Sequence, residues 1–352
     1  MADCKVVMLT DASMTLEKVQ AEDAQNEFAR LAPFGAEIAY VEGQKGLSRH
    51  EFSLYASKVE KEGPEAFPTI PELLAEIEDA DVLIVNFAPV NAETIKAAKK
   101  LKLIAVTRSG AENVNLEAAT EAGVKVTVSP GRLVEPVSDY TVGMMIAESR
   151  NIARMSITAN GGKWLDTAPN VGYIKSLKGQ TVGIIGFGII GRRVAEKLHA
   201  FGCNIVAYDP FLPDEVFEQE GARKVELDEL MEVSDFVSVH ARLTKDTEGL
   251  VSAEMIAKMK PHAFFVNTAR AGLVDMDALV EALAAHKIGG AALDVFTEEP
   301  IPEGHPILAL DNVTLTPHRA GNCSNLAALS LAIALTEVEN ILKGEPLAHP
   351  KN

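Results

Sequence analysis

The sequence predicts an α/β protein of two domains, each a parallel sheet layered with helices. Three observations carry this. Short apolar runs of four to six residues alternate with stretches of helical spacing, as in parallel strands buried on both faces. A glycine-rich turn, Gly186 to Gly191, separates such a run from such a stretch in mid-chain. And 352 residues is enough for two domains of ordinary size.

In the N-terminal part the apolar runs are Lys5–Thr10, Asp81–Phe87 and Leu103–Thr107, with helical spacing over Glu72–Glu78 and Ala92–Leu101. From Ser129 the texture changes, and the Pro and Gly residues of Ser129–Pro136 mark a hinge. A helix is expected from Val137 to about Arg154, followed by an irregular segment holding Asn160, Gly161, Gly162 and the single tryptophan, Trp164. The alternation then becomes regular. Six strands are expected: Thr181–Ile185, Asn204–Tyr208, Phe236–Val239, Ala263–Asn267, Gly290–Asp294 and Val313–Thr316. Helices such as Gly191–Phe201 and Met276–His286 lie between them, the pattern of a doubly wound sheet. Leu326–Leu342 reads as a last helix, broken up by Ser330, Thr336, Glu337, Glu339 and Asn340 and therefore amphipathic rather than membrane-spanning. It is expected to return to the first domain, giving residues 1–129 plus 320–352 as one domain and 130–319 as the other.

Composition excludes several classes. With 33 basic against 50 acidic residues, the formal charge is −17, which argues against a general nucleic-acid binder. Aromatic residues are only 5%, so aliphatic side chains must build the core. The three cysteines, Cys4, Cys203 and Cys323, are far apart, so neither a disulfide framework nor a thiolate metal site is expected. Met1–Lys5 lacks a signal-peptide pattern, and a cytoplasmic protein is expected, with no membrane partner.

Gly186, Gly188 and Gly191 form GxGxxG between a strand and a helix, the arrangement that receives a dinucleotide. Gly186 allows the tight turn, Gly188 the approach of a diphosphate, and Gly191 close helix–strand packing; the phosphates then meet amides at the helix N-terminus. Glycines also serve ordinary turns, so the second half of the pattern decides. Asp209 ends the next strand 18 residues after Gly191, where a carboxylate meets the adenosine ribose. Asp209 would repel a 2′-phosphate and Pro210 stands where a basic residue would be wanted, so NAD rather than NADP is expected.

Three later segments end at the C-terminal edge of predicted strands, where open α/β sheets bind ligands. They are Val266–Asp275 (VNTARAGLVD), Ala292–Pro300 (ALDVFTEEP) and Leu315–Gly321 (LTPHRAG), and they supply an arginine, acids and a histidine. With the mid-chain glycine turn, their order resembles the D-isomer-specific 2-hydroxyacid dehydrogenase family over nearly the whole chain, nearest to its phosphoglycerate dehydrogenase and glyoxylate or hydroxypyruvate reductase branches. The resemblance implies a Rossmann-type NAD-binding domain, a flavodoxin-like substrate domain and a cleft between them. It implies NAD-dependent interconversion of a D-2-hydroxy acid and its 2-oxo acid.

Arg270, Glu299 and His318 fall on the family's catalytic positions. Arg270 would hold the substrate carboxylate and polarise the 2-oxo oxygen. His318 would pass a proton to that oxygen, and Glu299 would favour its charged form. The nicotinamide carries the hydride, so no metal is called for. By the same resemblance Phe187, Ile189 and Ile190 line the diphosphate turn, Thr268 and Ala269 border the nicotinamide, and Asp294 meets its carboxamide. Arg270, His318 and Gly321 complete the cofactor site. Arg108, Ser109, Gly110 and Ala111 resemble the loop whose amides hold the substrate carboxylate. A homodimer through the cofactor domain is also implied, with Val137–Arg154 and the Trp164 segment at the interface.

The chain departs from the pattern at Arg319, where an apolar residue is usual, and at Arg242, where proline is common. The loop after Arg108 is also short. One hypothesis is that Arg319 or Arg108 reads a second anionic group; the alternative is that Arg319 pairs with a surface acid. His240 reads as structural or cofactor-lining, and Cys323 as small-residue packing. The chain stops at Asn352, so serine control through an appended regulatory domain is not expected. L-specific dehydrogenases carry their nucleotide turn near the N-terminus, and formate dehydrogenase lacks the glutamate. An NAD(H)-sensing, corepressor-like binding protein is the alternative function, and the lack of an added interaction tail favours the enzyme.

Overall fold

The computed structural model describes residues 4–352. The chain divides into two compact units, Met1–Arg132 with Cys323–Asn352, and Leu133–Asn322.

The first unit is built on five parallel strands: β1 (Cys4–Thr10), β2 (Ala36–Glu42), β3 (Val82–Val85), β4 (Leu103–Val106) and β5 (Lys125–Val128), in the order β2-β1-β3-β4-β5. That is the flavodoxin-like order. Side chains alternate between two hydrophobic layers. Val7 and Leu9 face one, with Leu83, Val85 and Ile104, while Val6 and Met8 face the other, with Val82, Ile84 and Leu103. The Leu326–Lys343 helix covers the second layer with Ala327, Leu331, Ala334, Leu335 and Val338, the stripe of an amphipathic helix. The residues beyond it reach β5, where Pro350 bridges Thr127 antiparallel, and buried Glu337 accepts from the Ala348 and His349 amides. The strands β2 and β5 are absent from the sequence expectation. Both are edge strands of the ladder; β2 is mostly half-exposed and carries Glu37 and Glu42 within it, so no apolar run announces it.

The second unit holds seven parallel strands, not six: β6 (Thr181–Ile185), β7 (Asn204–Tyr208), β8 (Arg223–Lys224), β9 (Phe236–Val239), β10 (Phe264–Asn267), β11 (Gly290–Leu293) and β12 (Val313–Leu315). Their order is β12-β11-β10-β9-β6-β7-β8, with the direction of winding reversing between β6 and β9. That reversal is the switch point at which a doubly wound sheet binds nucleotides. The extra strand β8 is two exposed basic residues, invisible to any hydrophobic pattern.

The expected Val137–Arg154 helix is two. Val134–Ser149 begins three residues early, because Pro136 in its first turn needs no amide partner. It stops where Asn151 takes a left-handed conformation (φ 59°) and its side chain bonds Asn170, and Ile152–Asn160 follows as a separate helix. Buried Glu148 ties the first of these helices to the sheet, accepting from Arg154 at 2.7 Å and from Thr314 of β12 at 2.6 Å. Burial pushes its carboxyl above the usual range despite those partners.

Candidate active site

The nucleotide turn is shaped by contacts that only glycine permits. Gly186 has φ 89°, and a Cβ there would lie 2.4 Å from the Ala241 amide nitrogen. A Cβ on Gly191 would lie 2.3 Å from the Gly186 carbonyl oxygen, which is the close packing of helix Ile189–Ala200 on β6. Gly188, by contrast, faces open space, with nothing within 4 Å of a Cβ position and ordinary φ of −68°. It is the side from which a diphosphate can approach the backbone.

Behind the turn, Phe187 is fully buried and stacks on Phe217 with ring centroids 5.0 Å apart. Its side chain therefore does not line the turn as expected; it anchors it from within. Ile189 is exposed and Ile190 half-buried. Asp209 directly follows β7 and accepts the Phe187 amide at 2.9 Å and the Phe211 amide at 3.0 Å, so its carboxylate fixes the turn. His240 follows β9 and shares a 2.8 Å hydrogen bond with Ser238; burial pulls its imidazole down to about 4, so it is neutral.

The neighbouring strands β10, β11 and β12 end together in register, Asn267 beside Leu293 beside Leu315. Arg270, Asp294 and His318 follow within three residues of those ends. Asn267 fixes the first loop, its amide donating to the Arg270 carbonyl and its oxygen accepting the Ala269 amide. The Arg270 side chain is exposed and donates to the Ala269 carbonyl at 2.7 Å. Thr268 turns away, buried, its hydroxyl 2.7 Å from that of Thr141, so Ala269 alone of the two remains partly open.

His318 and Glu299 are brought together: His318 Nδ1 lies 2.9 Å from Glu299 Oε2. The other carboxylate oxygen accepts the Phe296 amide, which fixes the acid. Because a carboxylate accepts, Nδ1 carries the proton, and Nε2 is left for a reacting group. His318 itself has φ 54°, unusual for a residue with a Cβ. Asp294 holds that turn. Fully buried, it accepts from the Thr316 hydroxyl at 2.6 Å and from the Arg319 and Ala320 amides at 2.8 Å each. Its oxygens are thus engaged by the histidine loop, a role that its spacing did not show. A Cβ on Gly321 would lie at ordinary contact distance from the Leu133 side chain, 3.5 Å. The Arg319 side chain is exposed and has no ion pair among the described residues, so the expected alternative of a surface pair is not what is seen.

In the first unit, Arg108 follows β4. Its guanidinium is buried, stacked 3.4 Å over the Phe87 ring and bonded to Glu60 at 2.5 Å. One of its nitrogens, Nη1, has no partner, and burial lowers its affinity for a proton. Ser109 is exposed and Ala111 buried. Gly110 is covered by the Glu112 carboxylate, whose oxygen lies 2.2 Å from a Cβ position. Asp11, at the end of β1, accepts from the Ser13, Met14 and Phe87 amides and so sets the neighbouring loops. Arg132, which sequence reasoning passed over, is half-buried near Arg108, and desolvation and that like charge weaken its hold on a proton.

Residues 142–320 match the family profile described as D-isomer specific 2-hydroxyacid dehydrogenase, NAD binding domain. The chain belongs to this family. NAD is the cofactor of that domain, and the open face of Gly188, the helix N-terminus and Asp209 fit it. Among relatives of the 2-hydroxyacid dehydrogenase family, the chain is 41% identical to a D-3-phosphoglycerate dehydrogenase of Methanocaldococcus jannaschii, over 79% of this chain and 52% of the relative. It is 38% identical to a hydroxypyruvate reductase of Thermotoga maritima, over 84% of this chain and 92% of the relative. The chain thus spans about half the length of the phosphoglycerate dehydrogenases it matches. The solved structure of the TT0316 protein of Thermus thermophilus is similar throughout, with 32% identity, a TM-score of 0.65, and 99% and 100% of the two chains covered. No helix among the described residues is long and apolar enough to cross a membrane.

Proposed function

We propose that the chain is an NAD-dependent D-2-hydroxyacid dehydrogenase that interconverts a small 2-oxo acid and its D-2-hydroxy acid. The observation that carries this reading is the His318–Glu299 pair at 2.9 Å, on the same sheet edge as the exposed Arg270 and in the NAD-binding domain. NAD, when bound, supplies or accepts the hydride at C2 of the substrate. This chain's residues do the rest. Arg270 binds the substrate carboxylate through its planar fork and polarises the 2-oxo oxygen. His318 donates the Nε2 proton to that oxygen and takes it back in the reverse direction. Glu299 holds the ring by Nδ1 and balances its positive charge. Arg108 and the Ser109–Ala111 loop belong to the substrate side.

The substrate class follows the relatives' names: hydroxypyruvate, glyoxylate and phosphohydroxypyruvate are the first acids to test. The working form is a homodimer, supported by an exposed apolar series on one segment, Ile152, Ile157, Trp164, Leu165 and Val171. A cytoplasmic location is supported by three cysteines that are all free.

The test is NADH oxidation against those three acids and longer sugar-derived 2-oxo acids, with NADPH and His318→Ala as controls. Turnover with NADH that the variant abolishes is the expected result. Tight NADH binding without turnover on any of them would count against the enzyme.

A further inference from the structure

The loop that follows β9 is placed by two glycines. At its start, the His240 amide donates to the Ile185 carbonyl at 2.7 Å, and the His240–Ala241 backbone lies directly against Gly186. A Cβ on Gly186 would stand 2.6 Å from the Ala241 Cα and 2.8 Å from the His240 carbonyl carbon. Two residues further on, the Leu243 side chain packs 3.1 Å from a Cβ position on Gly272, just after Arg270. Arg242 lies between those two contacts. It is therefore set between the first glycine of the nucleotide turn and the loop that carries Arg270. The Thr247 hydroxyl donates to the Arg242 carbonyl at 2.6 Å and closes the loop behind it.

The Arg242 side chain is exposed and has no acidic partner among the described residues. Of the arginines that open the helix behind the turn, Arg193 is held by two acids, and Arg192 lies at the outer reach of one. Arg192 faces Glu220 at 3.9 Å, and Arg193 pairs with Glu135 at 2.8 Å and with Glu196. A helix N-terminus offers only about half a positive charge, whereas a dinucleotide diphosphate carries two negative charges.

We propose that Arg242 is a cofactor-binding residue that supplies a full positive charge to the diphosphate of NAD, an assignment that rests on the NAD-dependent function proposed above. The contact is ionic, it forms on cofactor binding, and the free protein keeps the side chain in solvent until then.

NADH is titrated by fluorescence into the wild-type protein, Arg242→Gln and Arg242→Lys, with ADP-ribose and adenosine as competitors. ADP-ribose keeps the diphosphate, and adenosine lacks it. Arg242→Gln is expected to weaken NADH and ADP-ribose about 10-fold, as for loss of one charge-assisted contact. It should also flatten the salt dependence of binding and leave adenosine competition unchanged, while Arg242→Lys recovers most of the loss. Wild-type affinity for NADH in Arg242→Gln overturns the assignment. An equal loss for adenosine also overturns it, because the side chain would then be stacking on the base. Wild-type protein that binds no NADH at all would overturn the proposed function along with it.

Discussion

The three glycines of the nucleotide turn have different physical reasons for being glycine, and one substitution separates them. In Gly188→Ala the new methyl meets nothing within 4 Å, and the backbone (φ −68°) suits any residue. The free protein should therefore keep its stability to within about 0.5 kcal/mol, less than roughly 2 °C in Tm. The same methyl stands on the face that the diphosphate must approach. Losing one or two charge-assisted hydrogen bonds there weakens NADH binding by about 10- to 100-fold.

Gly186→Ala behaves otherwise. Its left-handed φ of 89° costs about 1–2 kcal/mol for any L side chain. The 2.4 Å approach to the Ala241 nitrogen adds about 1–3 kcal/mol of overpacking. That variant should melt roughly 5–15 °C lower and bind NADH poorly as well. Thermal melts followed by circular dichroism, with and without NADH, beside fluorescence titrations, read both quantities. Wild-type NADH affinity in Gly188→Ala would refute the reasoning. So would a melting loss in Gly188→Ala as large as that in Gly186→Ala.

Three further predictions concern the chemistry and its supports. His318→Ala should lower kcat by about 10²- to 10⁴-fold, and Glu299→Gln should give a smaller loss, both read by steady-state NADH oxidation. Asp294→Asn places an amide where the Arg319 and Ala320 amides and the Thr316 hydroxyl donate. It should cost about 1–3 kcal/mol and lower kcat more than it raises KM, because His318 loses its orientation; denaturant melts and kinetics check the two halves separately. His240 is held neutral in the fold, with a pKa of about 4 against about 6.5 unfolded. The unfolded chain then binds the extra proton first, so stability falls as pH drops from about 6.5 to 4, by up to about 3 kcal/mol. In His240→Gln that part of the slope should vanish, which urea melts between about pH 4.5 and about pH 7 would show.

What the sequence makes legible follows from what leaves a pattern in it. Central strands such as β3 and β4 are buried on both faces, so each is a continuous apolar run with one reading. β8 leaves none, being two exposed basic residues, and β2 mixes Glu37 and Tyr40 into an edge. The same contrast holds in the site. Gly186, Gly188, Gly191 and Asp209 declare themselves by spacing, and Arg270, Glu299 and His318 by their order behind strand ends. The direction of a side chain is set by neighbours distant in sequence, and spacing is silent about it. Phe187 turns inward because Phe217 awaits it, and Thr268 turns to Thr141 on the Val134–Ser149 helix. Asp294 is drawn to the amides of a loop some 25 residues later. Arg132 carries no motif at all, and the VNTARAGLVD motif that contains Asn267 does not show that its side chain fixes the Arg270 loop.

The most direct measurement of the central claim is the fate of the transferred hydride. NADH deuterated at the reactive carbon is incubated with the protein and hydroxypyruvate, and the product is analysed by mass spectrometry and chiral chromatography. The account predicts deuterium at C2 of D-glycerate, formed by the wild-type protein and lost with His318→Ala. Deuterium-free product, or label in the L-isomer, would contradict it.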